Sequence, residues 1–283
     1  MKIKIITDSS NDLPQEILDR YEIDFASLTI AFDDEAFHDG KNLSRDEFYF
    51  RLIEAKQYPK TSQPSPQAFY DLIKDALDKG YEVLVITLSS ALSGTYESAC
   101  IAKKQLNAEE QEKVHIVDTL AASIGQGLLV YEAAKMAEQG MSAIEICEKI
   151  TALRQKLESI FTVDTLEYLL KGGRISKFKA TLGTMLDIKP ILFIDSNGKL
   201  VILEKVRGRK RAYSRLLDIM DEKGKNLSQQ TVGIVHSRAL QEAQKLANEI
   251  KSRFDCKDII IGELSATIGT HTGPKCIGLF FYH

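Results

Sequence analysis

A run of small polar residues at positions 87–97 is the part of the chain best suited to hold a ligand. It follows the apolar residues 83–86, which predict a buried strand, and it leads into a helix that begins near Thr95. Within the run, Ser93 and Thr95 flank Gly94. Their hydroxyls and the free N–H groups of a helix start can donate to an oxyanion without adding a fixed charge. A helix cap explains the same residues equally well, so the spacing alone leaves both roles open.

Two further polar segments could contribute to the same site. Residues 60–66 precede another predicted helix and contain Thr61 and Ser62, while residues 269–274 contain His271 among threonines and glycines. Hydroxyls in a loop often satisfy only the backbone of a turn, and a lone histidine is usually structural. Histidine can also donate or accept a hydrogen bond beside a ligand. Together, the three polar segments predict a site that holds an anionic group by many weak donors.

Arginine occurs in two places that could recognise an anion or a partner. Arg174 follows two glycines, and its planar guanidinium suits a carboxylate or phosphate, although a solvated loop arginine is the simpler interpretation. Residues 207–211 form the densest basic run and include Arg207, Arg209 and Lys210. Because the run is short and has no interleaved aromatic residues, it does not predict nucleic-acid binding. A solvated helix start and a docking surface remain as alternatives.

Strands alternate with helices in the first half of the chain. The predicted strands are at residues 3–7, 23–30, 83–87 and 114–117, and the predicted helices are at 14–21, 44–54, 66–79, 95–106, 123–138 and 142–156. Residues 57–65 contain two prolines and predict a linker-like loop. This alternation predicts a mostly parallel sheet with helices on both faces.

The second half of the chain has a different pattern. Asn197-Gly198 separates two β-rich runs at 189–194 and 200–206, which indicates a hairpin. Further strands are predicted at 160–163, 231–236, 259–261 and 277–282, with helices near 166–170, 209–221 and 239–254. We therefore expect an α/β protein of two domains. The N-terminal α/β domain would comprise residues 1–158 and the C-terminal α+β domain, built on a mixed sheet, residues 159–283, with the ligand site between them.

Composition excludes several classes of protein. A chain of 283 residues favours about two domains, and its net charge of −3 gives no sign of nucleic-acid or acidic-membrane binding. The four cysteines are far apart and have no metal or redox spacing, so we expect reduced thiols and no metal. The first acid comes at Asp8, too early for a signal peptide, and no apolar run approaches the roughly 20 residues of a spanning helix. We expect a cytoplasmic protein without stable membrane insertion.

Enzymatic alternatives can be tested on the residues themselves. An acyl hydrolase or transferase could use Ser93 with His271, but Ser93 does not lie in a G-x-S-x-G elbow. Residues 269–275 lack the G-x-x-x-x-G-K-[ST] spacing of a phosphate loop, and no HExxH pattern occurs. These motifs therefore give no positive evidence for an enzyme, although a hydrolase that uses Ser93 stays open as an alternative.

Five segments together resemble the motifs of the DegV family. They are residues 6–13, 61–65, 89–96, 170–176 and 269–274, and they occur in order along almost the whole chain. The sequence is similar in particular to the fatty-acid-binding subunits of bacterial fatty acid kinases. This resemblance implies that a bound long-chain fatty acid is presented to a separate kinase subunit, which makes an acyl phosphate for phospholipid metabolism. It implies no cofactor and no ATP site in this chain. A stand-alone acyl hydrolase or transferase that uses Ser93 and a lipid sensor without a kinase partner are kept as alternatives.

The resemblance also implies roles for the polar residues. It places Ser93, with the two residues after it, and Thr61 beside the fatty-acid carboxylate, and it gives Ser62 a secondary contact. It places His271 in the hydrogen-bond network of that carboxylate. Lys275 stands where many relatives have glycine, which puts the geometry of the local turn in question.

The same resemblance bears on the arginines. It assigns Arg174 to the site between the two domains, in contact with either the lipid or the kinase. An exposed basic patch beside the phosphate-handling site of a partner would suit kinase docking. Arg207, Arg209 and Lys210 are therefore the predicted docking residues.

Overall fold

The computed structural model describes residues 2–175 and 187–283. Its strands, in chain order, are β1 (Ile3–Asp8), β2 (Asp24–Ala26), β3 (Thr29–Phe32), β4 (Glu35–His38), β5 (Lys60–Ser62), β6 (Glu82–Thr87), β7 (Val114–Asp118), β8 (Leu157–Thr162), β9 (Ile188–Ile194), β10 (Leu200–Arg207), β11 (Thr231–His236), β12 (Asp258–Glu263) and β13 (Ile277–Tyr282). Its α-helices are α1 (Gln15–Arg20), α2 (Arg45–Glu54), α3 (Pro66–Asp78), α4 (Thr95–Lys104), α5 (Ala108–Glu112), α6 (Ile124–Glu138), α7 (Ala143–Leu153), α8 (Glu167–Lys171), α9 (Arg209–Lys223), α10 (Leu240–Phe254) and α11 (Ala266–Thr272).

The first sheet has four parallel strands in the order β2-β1-β6-β7. Its central strand β6 has four consecutive apolar residues, 83–86, that are all fully buried. Such a run is expected for a strand that is covered on both faces. Alternate residues of β1 and β6 contact α3 and α4 on one face and α6 on the other. The predicted parallel sheet with helices on both faces is therefore confirmed.

The second sheet has six strands in the order β10-β9-β8-β13-β11-β12. Strands β11 and β12 pair in parallel, and the other neighbouring strands pair antiparallel, which confirms the predicted mixed sheet. Helices α9 and α10 cover one face. Helix α6 packs on the opposite face, where Leu128 belongs to the same apolar cluster as Val235 and Phe280. Because α6 contacts both sheets, it holds them together around one core.

A third, three-stranded antiparallel sheet in the order β4-β3-β5 corrects two predictions. The single strand expected at 23–30 is in fact two strands, because β2 joins the parallel sheet and β3 begins the small one. The segment expected to be a linker-like loop contains β5, which pairs Thr61 with Ile30. Prolines on either side of this short strand predicted a loop, whereas its pairing with β3 depends on contacts distant in sequence.

The structure does not test the end of one sequence motif or the predicted division into domains. The last residue of the 170–176 motif, Ser176, lies outside the described residues. The predicted boundary between residues 158 and 159 falls within β8, and the division into two domains stays a prediction. Within residues 2–175 and 187–283, no helix is both long and apolar enough to cross a bilayer.

Candidate ligand-binding cavity

A cavity of about 410 Å³ lies where the two larger sheets meet α11. This volume is within the range of small-molecule binding sites. Its apolar wall comes from both halves of the chain and comprises Leu28, Leu88, Leu92, Ala122, Phe161, Leu169, Ile194, Leu200, Val235, Leu264, Ile268 and Phe280. The sequence did not identify these residues, because tunnel-lining and core positions have the same apolar periodicity. Tunnel-lining and core residues can be distinguished only in the folded structure or in a structure with a bound ligand.

Six of the seven residues predicted to bind the ligand line this cavity. They are Thr61, Ser62, Ser93, Gly94, Arg174 and His271. The seventh, Thr95, is fully buried at the start of α4 and lies outside the cavity wall. Its Oγ1 is 2.8 Å from the Ser93 Oγ. In this structure, Thr95 therefore orients the Ser93 hydroxyl from behind the wall.

A side chain at Gly94 would displace the end of the Gln63 side chain. A Cβ atom built on Gly94 would lie 2.2 Å from the Gln63 Oε1, closer than nonbonded atoms approach. Gln63 itself lines the cavity, and its Nε2 donates to the Ser98 Oγ at 3.1 Å. The N–H groups in the first turn of α4 have no acceptor within the helix. Gly94, the N-cap residue, has no side chain that could accept from them. The polar wall thus combines hydroxyls with the positive end of a helix.

His271 lies in the last turn of α11 rather than in the loop predicted for residues 269–274. The Ser265 Oγ accepts from the Ile268 N–H, and the Asp39 carboxylate accepts from the Ala266 and Thr267 N–H groups. These caps explain why a segment rich in threonine and glycine forms a helix. Asp39 is remote in sequence, so no local pattern could have revealed its contribution.

The imidazole of His271 forms a pair with Thr61, at 2.9 Å between Nε2 and the threonine Oγ1. Burial and then the positive charge of Arg174 lower the pKa of His271 to about 4. The imidazole is therefore neutral near pH 7. Its Nδ1 is buried without a partner among the described residues, and a Cβ on Gly172 would lie 2.0 Å from it. Gly172 consequently leaves room for the ring in its observed position.

Arg174 is the only charged residue of the cavity wall in the described part of the chain. Its Nη1 donates to the Gly172 carbonyl at 2.6 Å, and its Nε donates to the Leu92 carbonyl at 3.3 Å. These two bonds tie the segment after α8 to the loop before α4. Because the described residues of this wall include one guanidinium and no acidic side chain, the electrostatic balance favours an anionic ligand group.

The predicted docking residues differ in their surroundings. Arg207 and Lys210 are exposed, but Arg209 is half-buried, which corrects the expectation that all three are exposed. The Arg209 Nη1 donates to the Lys275 carbonyl at 2.9 Å. Lys275 has a φ of 63°, so the turn retains the left-handed backbone that glycine would adopt easily. Arg209 thus holds this turn in addition to any role on the surface.

The hydrogen bonds at the polar wall do not form a nucleophile–base pair. The Ser93 hydroxyl pairs with Thr95, and the His271 imidazole pairs with Thr61. Among the described residues, no hydrogen bond joins Ser93 to His271, whereas an activated serine requires such a bond in its working geometry. The arrangement instead supplies several neutral donors, one cation and a long apolar wall.

The fold and the cavity define an α/β protein with a mostly apolar cavity that has a polar end. A family comparison agrees along the whole length, because the profile of the DegV family, COG1307, matches residues 2–283. The chain belongs to the DegV family.

Individual relatives and solved structures are similar to this chain along almost its whole length. A DegV domain-containing protein of Clostridium perfringens is 37% identical over 283 residues, which cover 99% of this chain and 97% of that protein. The solved structure of a fatty-acid-binding DegV family protein from Thermus thermophilus has a TM-score of 0.92 at 31% identity and covers 100% of this chain and 99% of its own. A stearic-acid-binding protein from Eubacterium ventriosum has a TM-score of 0.87 at 28% identity, with coverage of 98% and 97%. Structural neighbours of this chain therefore bind fatty acids.

Proposed function

We propose that this protein binds a long-chain fatty acid in the cavity and presents its carboxylate to a separate kinase subunit. The single observation that carries the first part is the division of the cavity into a long apolar wall and a polar end. The carboxylate would lie at the wall formed by Ser93, Thr61 and His271. The tail would lie along the apolar residues contributed by the two sheets and α11.

Energetic considerations assign different tasks to the tail and the head group. Burying one CH₂ contributes about 0.8 kcal/mol, so a tail of about 16 carbons contributes on the order of 12 kcal/mol before the costs of binding. Each head-group hydrogen bond contributes only about 0.5–3 kcal/mol. The tail therefore supplies most of the affinity. The polar end fixes the orientation of the ligand and keeps the carboxylate where a partner can reach it.

Three features support presentation to a kinase rather than chemistry by this chain. The polar wall orients its serine and histidine toward other hydroxyls, and the sequence carries no phosphate-loop spacing for ATP. The exposed Arg207 and Lys210 give a basic surface that suits an acidic or phosphate-handling partner. The proposal places the protein in the bacterial cytoplasm, with the acyl phosphate used in phospholipid synthesis and with no cofactor bound to this chain.

Acyl-phosphate formation tests the proposal directly. The purified chain, loaded with palmitate and given ATP, should form no acyl phosphate alone and should form it once a fatty acid kinase subunit is added. Hydrolysis of an acyl ester by the chain alone would favour the hydrolase alternative. Binding of palmitate without product after addition of kinase would favour a lipid sensor.

The docking surface can be separated from the lipid site by charge reversal. An Arg207→Glu/Lys210→Glu variant should slow kinase-coupled turnover, more strongly at low salt, while palmitate affinity stays within about twofold of wild type. A Lys245→Glu/Lys251→Glu variant on α10 carries the same change in charge and is the matched control. Arg209→Glu is measured separately because Arg209 also holds the turn at Lys275. Equal turnover of the two double variants would reject docking through this surface.

A further inference from the structure

The buried carboxyl of Asp12 lies behind the cavity and connects two of the elements that form its wall. Its Oδ2 accepts from the Ser123 hydroxyl at 2.5 Å, and its Oδ1 accepts from the Ser265 N–H at 2.8 Å. Ser123 is the N-cap residue of α6, and Ser265 is the N-cap residue of α11. One carboxyl therefore holds the first turns of both helices.

Both helix starts contribute to the cavity wall. Ser123 lines the cavity directly, and α11 contributes Thr267, Ile268 and His271. Asp12 does not itself line the cavity, and only 3% of its surface is exposed. Its influence on the shape of the cavity therefore acts through the position of these two helix starts.

The backbone conformations of Asp12 and Ser123 are ones that need support from surrounding contacts. Asp12 has a φ of 53°, and Ser123 has a φ of 59° with a ψ of −143°. Residues other than glycine adopt such left-handed conformations at a cost, which the surrounding contacts must offset. The short hydrogen bond between the two side chains is one such contact, since a charge-assisted O–H···O⁻ bond is stronger than a neutral one.

We propose that Asp12 positions the inner wall of the cavity by joining the starts of α6 and α11, and that ligand binding is coupled to proton uptake by this carboxyl. The second part rests on the proposal that the cavity holds a fatty acid. Ser123 lines the cavity and contacts Asp12, so a fatty-acid carboxylate bound in the cavity would add a second negative charge to the interior that holds Asp12. A like charge nearby disfavours an ionised Asp12.

Burial raises the pKa of Asp12 to about 7, against the opposing effects of the Arg45 charge and the hydrogen bonds from Ser123 and Ser265. Arg45, Asp39 and Glu263 line the same polar cleft as Asp12.

Tyr49 and Cys276 also face Asp12, and burial raises the pKa of both groups, so they stay neutral near pH 7. Burial raises the pKa of the neighbouring Asp39 as well. A substitution at Asp12 alone is therefore required to assign the proton.

Coupling to a proton makes the affinity for fatty acid depend on pH. If bound fatty acid raises the pKa of Asp12 further, binding takes up a proton, and affinity increases as the pH falls through 7. Asp12→Asn keeps an acceptor for the Ser265 N–H and a polar partner for Ser123 but cannot ionise. The variant should therefore lose this part of the pH dependence, while ionisation of the ligand itself affects both proteins equally.

The experiment measures palmitate affinity by displacement of a fluorescent fatty acid at pH 6, 7 and 8. Between pH 8 and pH 6, wild type should gain about fivefold more affinity than Asp12→Asn, at the low end of typical couplings between sites. Glu263→Gln removes a neighbouring acid that does not line the cavity and should keep the wild-type profile. Asp12→Ala, which removes both hydrogen bonds, should bind at least tenfold more weakly than Asp12→Asn at every pH. Circular dichroism confirms that each variant is folded.

The possible outcomes separate this inference from the proposed function. Equal pH profiles for wild type and Asp12→Asn would overturn proton coupling, and equal affinities of Asp12→Ala and Asp12→Asn would overturn positioning. If Asp12→Ala does not fold, Ser123→Ala replaces it, and an affinity equal to that of wild type would then overturn positioning. A wild-type protein that binds no palmitate at any pH would contradict the proposed function as well.

Discussion

The hydroxyl of Thr61 is the most informative single atom to remove from the polar wall. Thr61→Val keeps the shape and the β-branched side chain of a strand residue but deletes Oγ1. That atom is 2.9 Å from the His271 Nε2, and the His271 Nδ1 already has no partner within the described residues. The variant would therefore leave both ring nitrogens without a protein partner, and it would also remove the proposed donor to the fatty-acid carboxylate.

The expected loss follows from the cost of an unpartnered polar group. Leaving a buried donor or acceptor unsatisfied costs about 1–3 kcal/mol. In binding, this range corresponds to about a fivefold to 150-fold weaker affinity. The loss should appear in head-group anchoring, so it should be similar for saturated fatty acids of different length, because the tail contacts are unchanged.

Calorimetry with palmitate at pH 7.5 measures this loss, with thermal unfolding to confirm equal folded fractions. Thr29→Val is the matched control, since Thr29 lies on the neighbouring strand β3 and does not line the cavity. Wild-type affinity in Thr61→Val, or an equal loss in Thr29→Val, would refute the assignment of Thr61 to the head-group site.

Two further predictions concern the same wall. Gly94→Ala should weaken palmitate binding several-fold because the new methyl group displaces Gln63. The double variant Gly94→Ala/Gln63→Ala should recover part of this loss. Equal affinities of Gly94→Ala and wild type would show that Gln63 moves aside freely. For His271, the pKa is lowered from 6.5 to about 4 in the folded protein, so the unfolded chain binds the extra proton and stability should fall as the pH decreases from about 6.5 to 4. The loss should reach at most about 3 kcal/mol in urea unfolding and should be smaller in His271→Gln, whereas parallel stability curves would assign the acid sensitivity to other groups.

The sequence predicted the architecture well where the signal is local. The buried run of β6 and the Asn-Gly hairpin lie where their residue patterns place them, and the helices predicted to begin at 44, 66 and 142 begin within one residue of those positions. These features depend on hydrogen bonds and burial within a few residues, so a short window of sequence contains the necessary information.

Features that depend on distant contacts were missed. Strand β5 forms only because β3 pairs with it, and α11 is capped by Asp39 from a remote part of the chain. The supporting role of Thr95 behind Ser93 was also hidden, since a buried and an exposed hydroxyl have the same appearance in a sequence. Asp12 belongs to the recognised segment at residues 6–13, but only its contacts with Ser123 and Ser265 indicate a task.

The most direct test of the central claim is native mass spectrometry of the protein purified from bacterial cytosol, followed by extraction and identification of the bound lipid. The amphipathic cavity predicts one fatty acid per chain. That ligand should be lost under denaturing conditions and should be replaced when another fatty acid is supplied in excess. A protein that is only ever observed without ligand, even after incubation with common saturated and unsaturated fatty acids, would contradict the account.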